Sequence, residues 1–250
     1  MWNAQSFQIV WFPVSVEGLS AKSIFENLLD REPDTTETSR VPSQKTPFFS
    51  RSLAEINALR HVIVVAPGRV DWHIEPVLDE DESPYSRLFN SVETVEFVMK
   101  RVVGLPPETI GDVNRVSVIS TLLRPMSSFE ETSSEFVAMT GLPVVSEGAM
   151  DLSLQINKRK LISGGVSINR LVKFSTETLS RLVINLDAQQ GKAASAAPSN
   201  EELFSVKVRL DFNTVPTGQI FDKDRQIEIF GCLCDETLKM AESPGLGFYK

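Results

Sequence analysis

The sequence predicts an α+β protein, in which antiparallel sheets are covered by helices. Residues 203–213 alternate apolar and polar side chains without a break, and only a β-strand has a side-chain period of two. Residues 222–241 then place apolar side chains at helical spacing. The 250 residues are 42% hydrophobic and 23% charged, which is typical of a globular chain long enough to bury a full core. These observations indicate an architecture, but they do not indicate a chemistry.

The first half of the chain predicts the element order β-α-β-β-α-β, which is the order of a ferredoxin-like split unit. Residues 8–14 are apolar on both faces, as in a central strand. Pro67 and Gly68 suit the two central positions of a type II turn. The expected elements are a strand at 8–14, a helix capped by Ser20, a hairpin at 61–77, a helix capped by Asn90 and a strand at 114–123.

Three further segments lie between or after these elements. Residues 30–50 are rich in Pro, Ser and Thr, which predicts a long loop. Leucine and isoleucine residues at helical spacing predict a short helical turn over residues 52–59. Ser128 and Glu131 form a capping box for another helix, which is expected to end at Gly141.

The second half predicts a β-meander followed by a long helix. The expected strands lie at 152–156, 168–174, 179–186 and 203–213, with a turn at 163–165 and the helix at 222–241. Residues 189–200 are small and polar, which is typical of a flexible linker or an exposed excursion. The helix is apolar on more than one side, so it is expected to pack in two directions. The change of pattern predicts two units, 1–145 and 146–250, and one continuous domain is the alternative.

Charge and cysteine content restrict the setting in which the chain works. The net charge of −8 repels phosphate backbones, so general nucleic-acid binding is not expected. Cys232 and Cys234 lie two positions apart in a predicted helix, where they cannot form a disulfide with each other. The longest apolar runs, of about five residues, are far shorter than the roughly 20 residues of a membrane-spanning helix. The sequence therefore predicts a soluble cytoplasmic protein with no membrane contact.

Asp71, His73 and Glu75 form one candidate site, because their spacing places them on one face of the second hairpin strand. Carboxylates on both sides of an imidazole can raise its pKa or join it in holding a divalent metal ion. The alternative is a solvated strand face, with Trp72 on the opposite face in the core. His61 and His73 are expected on opposite faces of the hairpin and the two cysteines point apart, so a Cys2His2 zinc site is not expected.

A second candidate site is basic. Lys158, Arg159 and Lys160 lie near a predicted hairpin tip, and Arg170 and Lys173 lie on the returning strand. Such a group can bind a phosphate or an acidic peptide, and the alternative is a hairpin tip that is charged for solubility. The chain contains no nucleophile elbow, no P-loop and no dinucleotide fingerprint. No cofactor is expected.

The leading expectation is a non-enzymatic cytoplasmic binding or assembly protein that self-associates as a dimer or binds another protein. It rests on the lack of a catalytic constellation, the broadly apolar last helix and the separation of acidic residues at 71–82 from basic residues at 151–187. The first alternative is a metal-dependent hydrolase or nuclease that uses Asp71, His73 and Glu75. The second alternative is a phosphate or nucleotide sensor that uses the basic hairpin.

Overall fold

The computed structural model describes residues 2–78, 85, 87–142, 151–187 and 192–249. Across these residues nine strands form one antiparallel sheet, and helices pack on one of its faces. This arrangement confirms the α+β class and the antiparallel pairing that the sequence predicts, but the described strands form one sheet where the sequence predicts more than one. None of the helices in this part of the chain has the length and the hydrophobicity that crossing a membrane requires.

The elements follow one another along the chain with short connections. The strands are β1 (Asn3–Pro13), β2 (Thr35–Thr38), β3 (Ser50–Ile56), β4 (Leu59–Ala66), β5 (Arg69–Pro76), β6 (Val113–Met126), β7 (Ser153–Leu161), β8 (Ser167–Asp187) and β9 (Lys192–Thr214). The helices are α1 (Ala21–Leu29), α2 (Ser91–Gly104), α3 (Pro107–Ile110), α4 (Phe129–Thr140) and α5 (Lys223–Glu242), with 3₁₀ turns at Ser163–Gly165 and Leu246–Tyr249. The strand order across the sheet is β2-β3-β4-β5-β1-β6-β9-β8-β7.

The strand order contains the same arrangement of four strands twice. From the centre outwards the sheet runs β1-β5-β4-β3 on one side and β6-β9-β8-β7 on the other. In chain order each set reads strand, helix, three strands and helix, and β2 is an added edge strand in the first set. We call β1 to α2 the N-terminal unit and β6 to α5 the C-terminal unit.

Two isolated bridges mark equivalent positions in these units. Phe89 bridges to Ala4 near the start of β1, and Phe221 bridges to Val113 at the start of β6. Each phenylalanine stands directly before the N-cap residue of the last helix of its unit. The two units can therefore be compared residue by residue where their last helices begin.

The core lies between the sheet and the helices. Strand β1 is in the middle of the sheet, as predicted for a strand that is apolar on both faces. Ile9 pairs with Trp72 of β5 and with Val118 of β6, and all three side chains are fully buried. Trp11 packs edge-on against Phe230 of α5, with 5.4 Å between the ring centroids. Burial of such large aromatic groups is a major source of stability.

Local rules correctly predicted several features. Strands β4 and β5 form the expected hairpin, in which Val62 pairs with His73 and His61 pairs with Ile74. The Asn90 side chain accepts hydrogen bonds from two backbone N–H groups and so caps α2. Side-chain caps also begin α4 and α5 at the expected positions.

The segment before this hairpin differs from the prediction. Residues 50–56 form strand β3 instead of a helical turn, and the predicted loop at 30–50 contains strand β2. The inward side chains of β3 are Ser50, Ser52 and Ala54. They are small because α1 lies directly over them, and the Ser50 hydroxyl accepts a hydrogen bond from the Ala21 N–H at 2.9 Å. The strand therefore lacks the hydrophobic alternation by which strands are recognised.

The second half also contains longer strands than predicted. Strand β8 continues from Ser167 to Asp187, so residues 179–186 are not a separate strand. Residues 192–200 belong to β9, which pairs with β8, and are not a linker. Residues 189–191 and the expected boundary near residue 145 lie outside the described residues. The predicted division of the chain into 1–145 and 146–250 therefore stays a prediction.

The element order and the last helix refine two further expectations. Strands β2 and β3 lie between α1 and the hairpin, so the predicted β-α-β-β-α-β order is not reproduced as such in a sheet of nine described strands. Helix α5 packs on β6 and β9 in one direction and on α2 in another. Cys234 is buried and Cys232 is only half-buried, as the helical spacing predicts.

Candidate functional site

A pocket of about 540 Å³ lies between the β3–β4 turn and the beginning of α2. The two sides are brought together because β5 ends beside this turn and the chain then returns through Phe89 to start α2. The lining residues are Ile56, Asn57, Ala58, Leu59, His61, Ile74, Pro76, Arg87, Leu88, Phe89, Asn90, Glu93, Thr94 and Phe97. Its volume is in the range of pockets that hold small organic molecules, about 300–1,000 Å³.

His61 is the most deeply buried polar residue of the pocket. It lies on β4, and its side chain is only 2% exposed. Its Nδ1 atom accepts a hydrogen bond from the indole N–H of Trp72 at 3.3 Å. The rings of Trp72 and Phe97 lie 6.0 and 5.7 Å from the imidazole, centroid to centroid. An imidazole that accepts at Nδ1 and is neutral carries its proton on Nε2.

The electrostatic environment keeps this imidazole neutral. Burial, followed by the positive charges of Arg101 and Arg31, lowers the pKa of His61 from 6.5 to about 4. The group is therefore uncharged at neutral pH and presents Nε2–H as a hydrogen-bond donor. In the part of the chain that the structure describes, that donor has no partner.

The rim of the pocket is polar. Asn90 caps α2 and also donates from Nδ2 to the Glu93 carboxylate at 3.2 Å. The guanidinium of Arg87 donates to the Val77 carbonyl at 2.8 Å. The partial positive charge of a helix N-terminus adds to this side of the pocket. On the facing turn, Asn57 and Ala58 have φ angles of 52° and 62°.

The equivalent place in the C-terminal unit is closed by the chain's own side chains. Counting from the N-cap residues, Glu93 corresponds to Arg225 and Thr94 corresponds to Gln226. The Arg225 guanidinium crosses to the β7–β8 turn and donates to the Ser163 carbonyl. The Gln226 amide donates to two backbone carbonyls at 2.9 and 3.0 Å. The first unit has shorter side chains at both positions, and the space between helix and turn stays open.

The predicted site at Asp71, His73 and Glu75 lies on the sheet face opposite the core, as the spacing requires. The buried Asp71 carboxylate accepts hydrogen bonds from Arg69 and from Gln8, the latter at 2.6 Å. Glu75 forms an ion pair with Arg60 at 3.6 Å.

Burial, together with the charges of Arg69 and Arg51, lowers the pKa of His73 more than Asp71 and Glu75 raise it, whereas the sequence suggested a raised pKa. Among the residues the structure describes, no three His, Cys, Asp or Glu side chains converge as metal ligands. Asp71 and Glu75 instead have basic partners of their own.

The structure divides the predicted basic site between the two sheet faces. Lys160 and Arg170 point toward the helices and bind the Glu236 carboxylate of α5 at 2.8 and 3.2 Å. Lys158 lies over the ring of Tyr249 on the same face. Arg159 and Lys173, which are exposed, belong to the opposite face by strand alternation. These five side chains therefore do not converge on one ligand.

Sequence reasoning missed the pocket. The predicted hairpin register correctly places His61 and His73 on opposite faces, but this register alone indicates only that the two histidines cannot share a zinc ion. A further signal was available in Asn57-Ala58, since Asn is one of the few residues that tolerate positive φ in a tight hairpin turn. The turn would have brought β3 beside His61. Comparison of the chain with protein-family models, curated proteins and solved structures finds no match.

Proposed function

We propose that this chain is a non-enzymatic binding protein, which holds a small organic molecule in the pocket between the β3–β4 turn and α2. The observation that carries the proposal is the Nε2–H group of His61, a donor to which the described residues offer no acceptor, on a buried side chain that lines a pocket of about 540 Å³. A polar group that points into a pocket can fix the orientation of a bound molecule by a hydrogen bond. A ligand is the natural partner for this one.

The state of His61 supports binding over catalysis. A general base must accept a proton near neutral pH. Nδ1 of His61 is already occupied by the Trp72 N–H, and the pKa of the ring is about 4. The imidazole is thus held as a hydrogen-bond donor of fixed orientation. The free cysteines, Cys232 and Cys234, support the view that the protein works in a reducing compartment such as the cytoplasm.

The C-terminal unit shows which side chains close the equivalent space, and these side chains can be introduced into the N-terminal unit to test the proposal. The double substitution Glu93→Arg with Thr94→Gln copies Arg225 and Gln226 and is expected to close the pocket. N-phenyl-1-naphthylamine is an uncharged probe whose fluorescence rises in apolar sites. We expect saturable binding at one site in the native chain and an affinity at least about tenfold lower in the double variant.

Glu96→Arg is the matched control, because Glu96 is an exposed residue of α2 that does not line the pocket. It changes the charge of the helix by the same amount and should leave probe binding unchanged. Equal probe affinity in the native chain and the double variant, with circular dichroism showing both folded, would contradict the proposed function.

Self-association is a second candidate function, and one observation favours it. Residues 180–187 of β8 pair with residues 192–202 of β9. In the described residues these paired segments have no third strand beside them. A ribbon of two strands alone has marginal stability in water. The ribbon of a second copy of this chain would supply the missing neighbours and would make the protein a dimer.

Light scattering from low to high micromolar concentration tests this candidate. We expect the mass of a dimer for the native chain and the mass of a monomer when residues 182–198 are replaced by an Asn-Gly turn. A native chain that stays monomeric throughout this range would rule out the dimer.

A further inference from the structure

The pocket offers one specific hydrogen bond at its inner end. His61 is only 2% exposed, and its ring lies against the rings of Trp72 and Phe97. With Nδ1 fixed by the Trp72 N–H, the remaining polar atom is the Nε2–H donor. A ligand that satisfies this donor must carry a hydrogen-bond acceptor at its inner end.

The charges around the donor favour an acceptor that is negative. The positive charges of Arg101 and Arg31 oppose protonation of the His61 ring, although each arginine is also paired with a carboxylate, Asp30 or Asp34. The N-terminal end of the 14-residue helix α2 also faces the pocket and adds partial positive charge. Arg87 is one of the lining residues, and its guanidinium also donates to the Val77 carbonyl. Glu93 carries the opposing charge, but it is exposed at the rim, where solvent screens it.

The walls of the pocket determine which kind of ligand body fits beside the acceptor group. Most of the lining is apolar, including Ile56, Leu59, Ile74, Phe89 and Phe97. Such walls stabilise a ligand body that has little polar surface, because each buried apolar group gains free energy on leaving water. Phe97 presents a ring beside the imidazole, and aromatic rings pack well against such an edge.

We propose that the ligand is an organic monocarboxylate with an aromatic or branched apolar body, and that one carboxylate oxygen accepts a hydrogen bond from His61 Nε2–H. The apolar body then lies against Phe97 and Ile74, toward the β3–β4 turn. This inference rests on the proposed function and specifies the chemistry of the same site. It goes beyond that function, because an apolar pocket alone would take neutral and cationic molecules as well.

A matched pair of probes separates the carboxylate from its alternatives. Naphthalene-2-carboxylate and naphthalen-2-ylmethylamine share one ring system and carry opposite charges at neutral pH. The chain has two histidines, His61 and His73, so nitrogen-15 spectra of the imidazoles report on each one separately. We expect the carboxylate to bind at least about tenfold more tightly than the amine and to shift the Nε2–H proton of His61 downfield. The resonances of His73 should not move.

His61→Phe provides the second arm, since it keeps an aromatic ring and removes the donor. It should reduce the preference for the carboxylate to less than about threefold. If this variant does not fold, the spectra of the native chain still decide the question. Equal affinity for the two probes would overturn the carboxylate proposal and leave the proposed function intact. Binding of neither probe, together with failure of N-phenyl-1-naphthylamine to bind, would overturn both.

Discussion

The N-terminal and C-terminal units share a layout but treat the space beneath their last helix differently. In the N-terminal unit, the gap between α2 and the β3–β4 turn is an open pocket. In the C-terminal unit, Arg225 spans the corresponding gap to the β7–β8 turn. The last residues of the chain close that unit further, because Phe248 stacks on Phe212 with 5.8 Å between the ring centroids. Fold alone therefore does not create the pocket.

The two units also differ in the polarity of an equivalent position beneath the last helix. Trp72 pairs with Ile9 and Phe212 pairs with Val118, and Ile9 and Val118 pair with each other at the centre of the sheet. Trp72 and Phe212 therefore occupy equivalent positions in the two units. One strand further out, His61 of β4 corresponds to Ile168 of β8 by the same register. The C-terminal unit is apolar at the position where the N-terminal unit has an imidazole.

The C-terminal unit also has a buried charge, but that charge is paired within the chain. The Glu236 side chain is 5% exposed and receives hydrogen bonds from Lys160, Arg170 and Lys239. His61, by contrast, has one donor for which the described part of the chain offers no acceptor. The buried carboxylate of the C-terminal unit is therefore neutralised within the chain, whereas the imidazole of the N-terminal unit keeps a donor for a molecule in the pocket.

The largest expected effect is the pH dependence of stability. Burial and two arginines lower the pKa of His61 from 6.5 to about 4, so between these values the unfolded chain binds a proton that the folded chain does not. Stability from this group is complete above pH 6.5 and is lost as the pH falls toward 4. The loss amounts to about 3 kcal/mol, because each pKa unit is worth about 1.4 kcal/mol. Urea unfolding at a series of pH values measures it.

Two variants assign this loss to its source. His61→Phe should remove most of the slope between pH 6.5 and 4, while His73→Gln should remove only the contribution of the other histidine, whose pKa burial also lowers. For Glu236, burial raises the pKa, but the hydrogen bonds and the positive charges of Lys160 and Lys239 together outweigh burial and lower it. The stability that the ionised Glu236 side chain contributes is therefore lost only as the pH falls below 4.5, the ordinary pKa of a glutamate. A slope that is unchanged in His61→Phe would contradict the neutral buried state of that ring.

The same comparison shows what the sequence could predict. The register of the β4–β5 hairpin and the caps of α2 and α4 depend on neighbouring residues, so local rules were sufficient. The predicted cap residue Ser20 stands at the start of α1, but its side chain makes no capping hydrogen bond. Strand β3 was missed because its inward positions hold Ser50, Ser52 and Ala54, which fit beneath α1 but give no apolar alternation. Their small size is explained by tertiary packing, which a local pattern does not contain.

The candidate site was missed for a related reason. Its walls come from three separate segments, at 56–61, 74–76 and 87–97, and they meet only after the sheet has formed. The basic hairpin shows the opposite relation between sequence and structure. Lys158, Lys160 and Arg170 look like a surface cluster in the sequence, but α5 and the C-terminal turn use them as internal partners. Neither the convergence of the pocket nor the use of these cations can be read from spacing along one strand.

The smallest expected effect concerns the two turns that face the last helices. Ala58 has a φ of 62°, whereas Gly165 on the equivalent turn has a φ of 75°. Left-handed backbone costs a residue with a side chain about 1–2 kcal/mol, and glycine avoids this cost but gains freedom in the unfolded chain. Ala58→Gly should therefore stabilise the protein by about 0.5 kcal/mol. Gly165→Ala should destabilise it by about 1 kcal/mol, although an added Cβ there meets no atom within 4 Å.

Gly104→Ala provides the control for this pair. An added Cβ at Gly104 also meets no atom within 4 Å, and the residue has no positive φ, so its replacement should not reduce stability. Urea unfolding of the three variants at neutral pH compares them directly. The Val77 N–H donates to the Ala58 carbonyl at 3.0 Å, which holds this turn in place against its strain. Effects of the same sign for Ala58→Gly and Gly165→Ala would show that backbone strain does not distinguish the turn at the open pocket from the turn at the closed one.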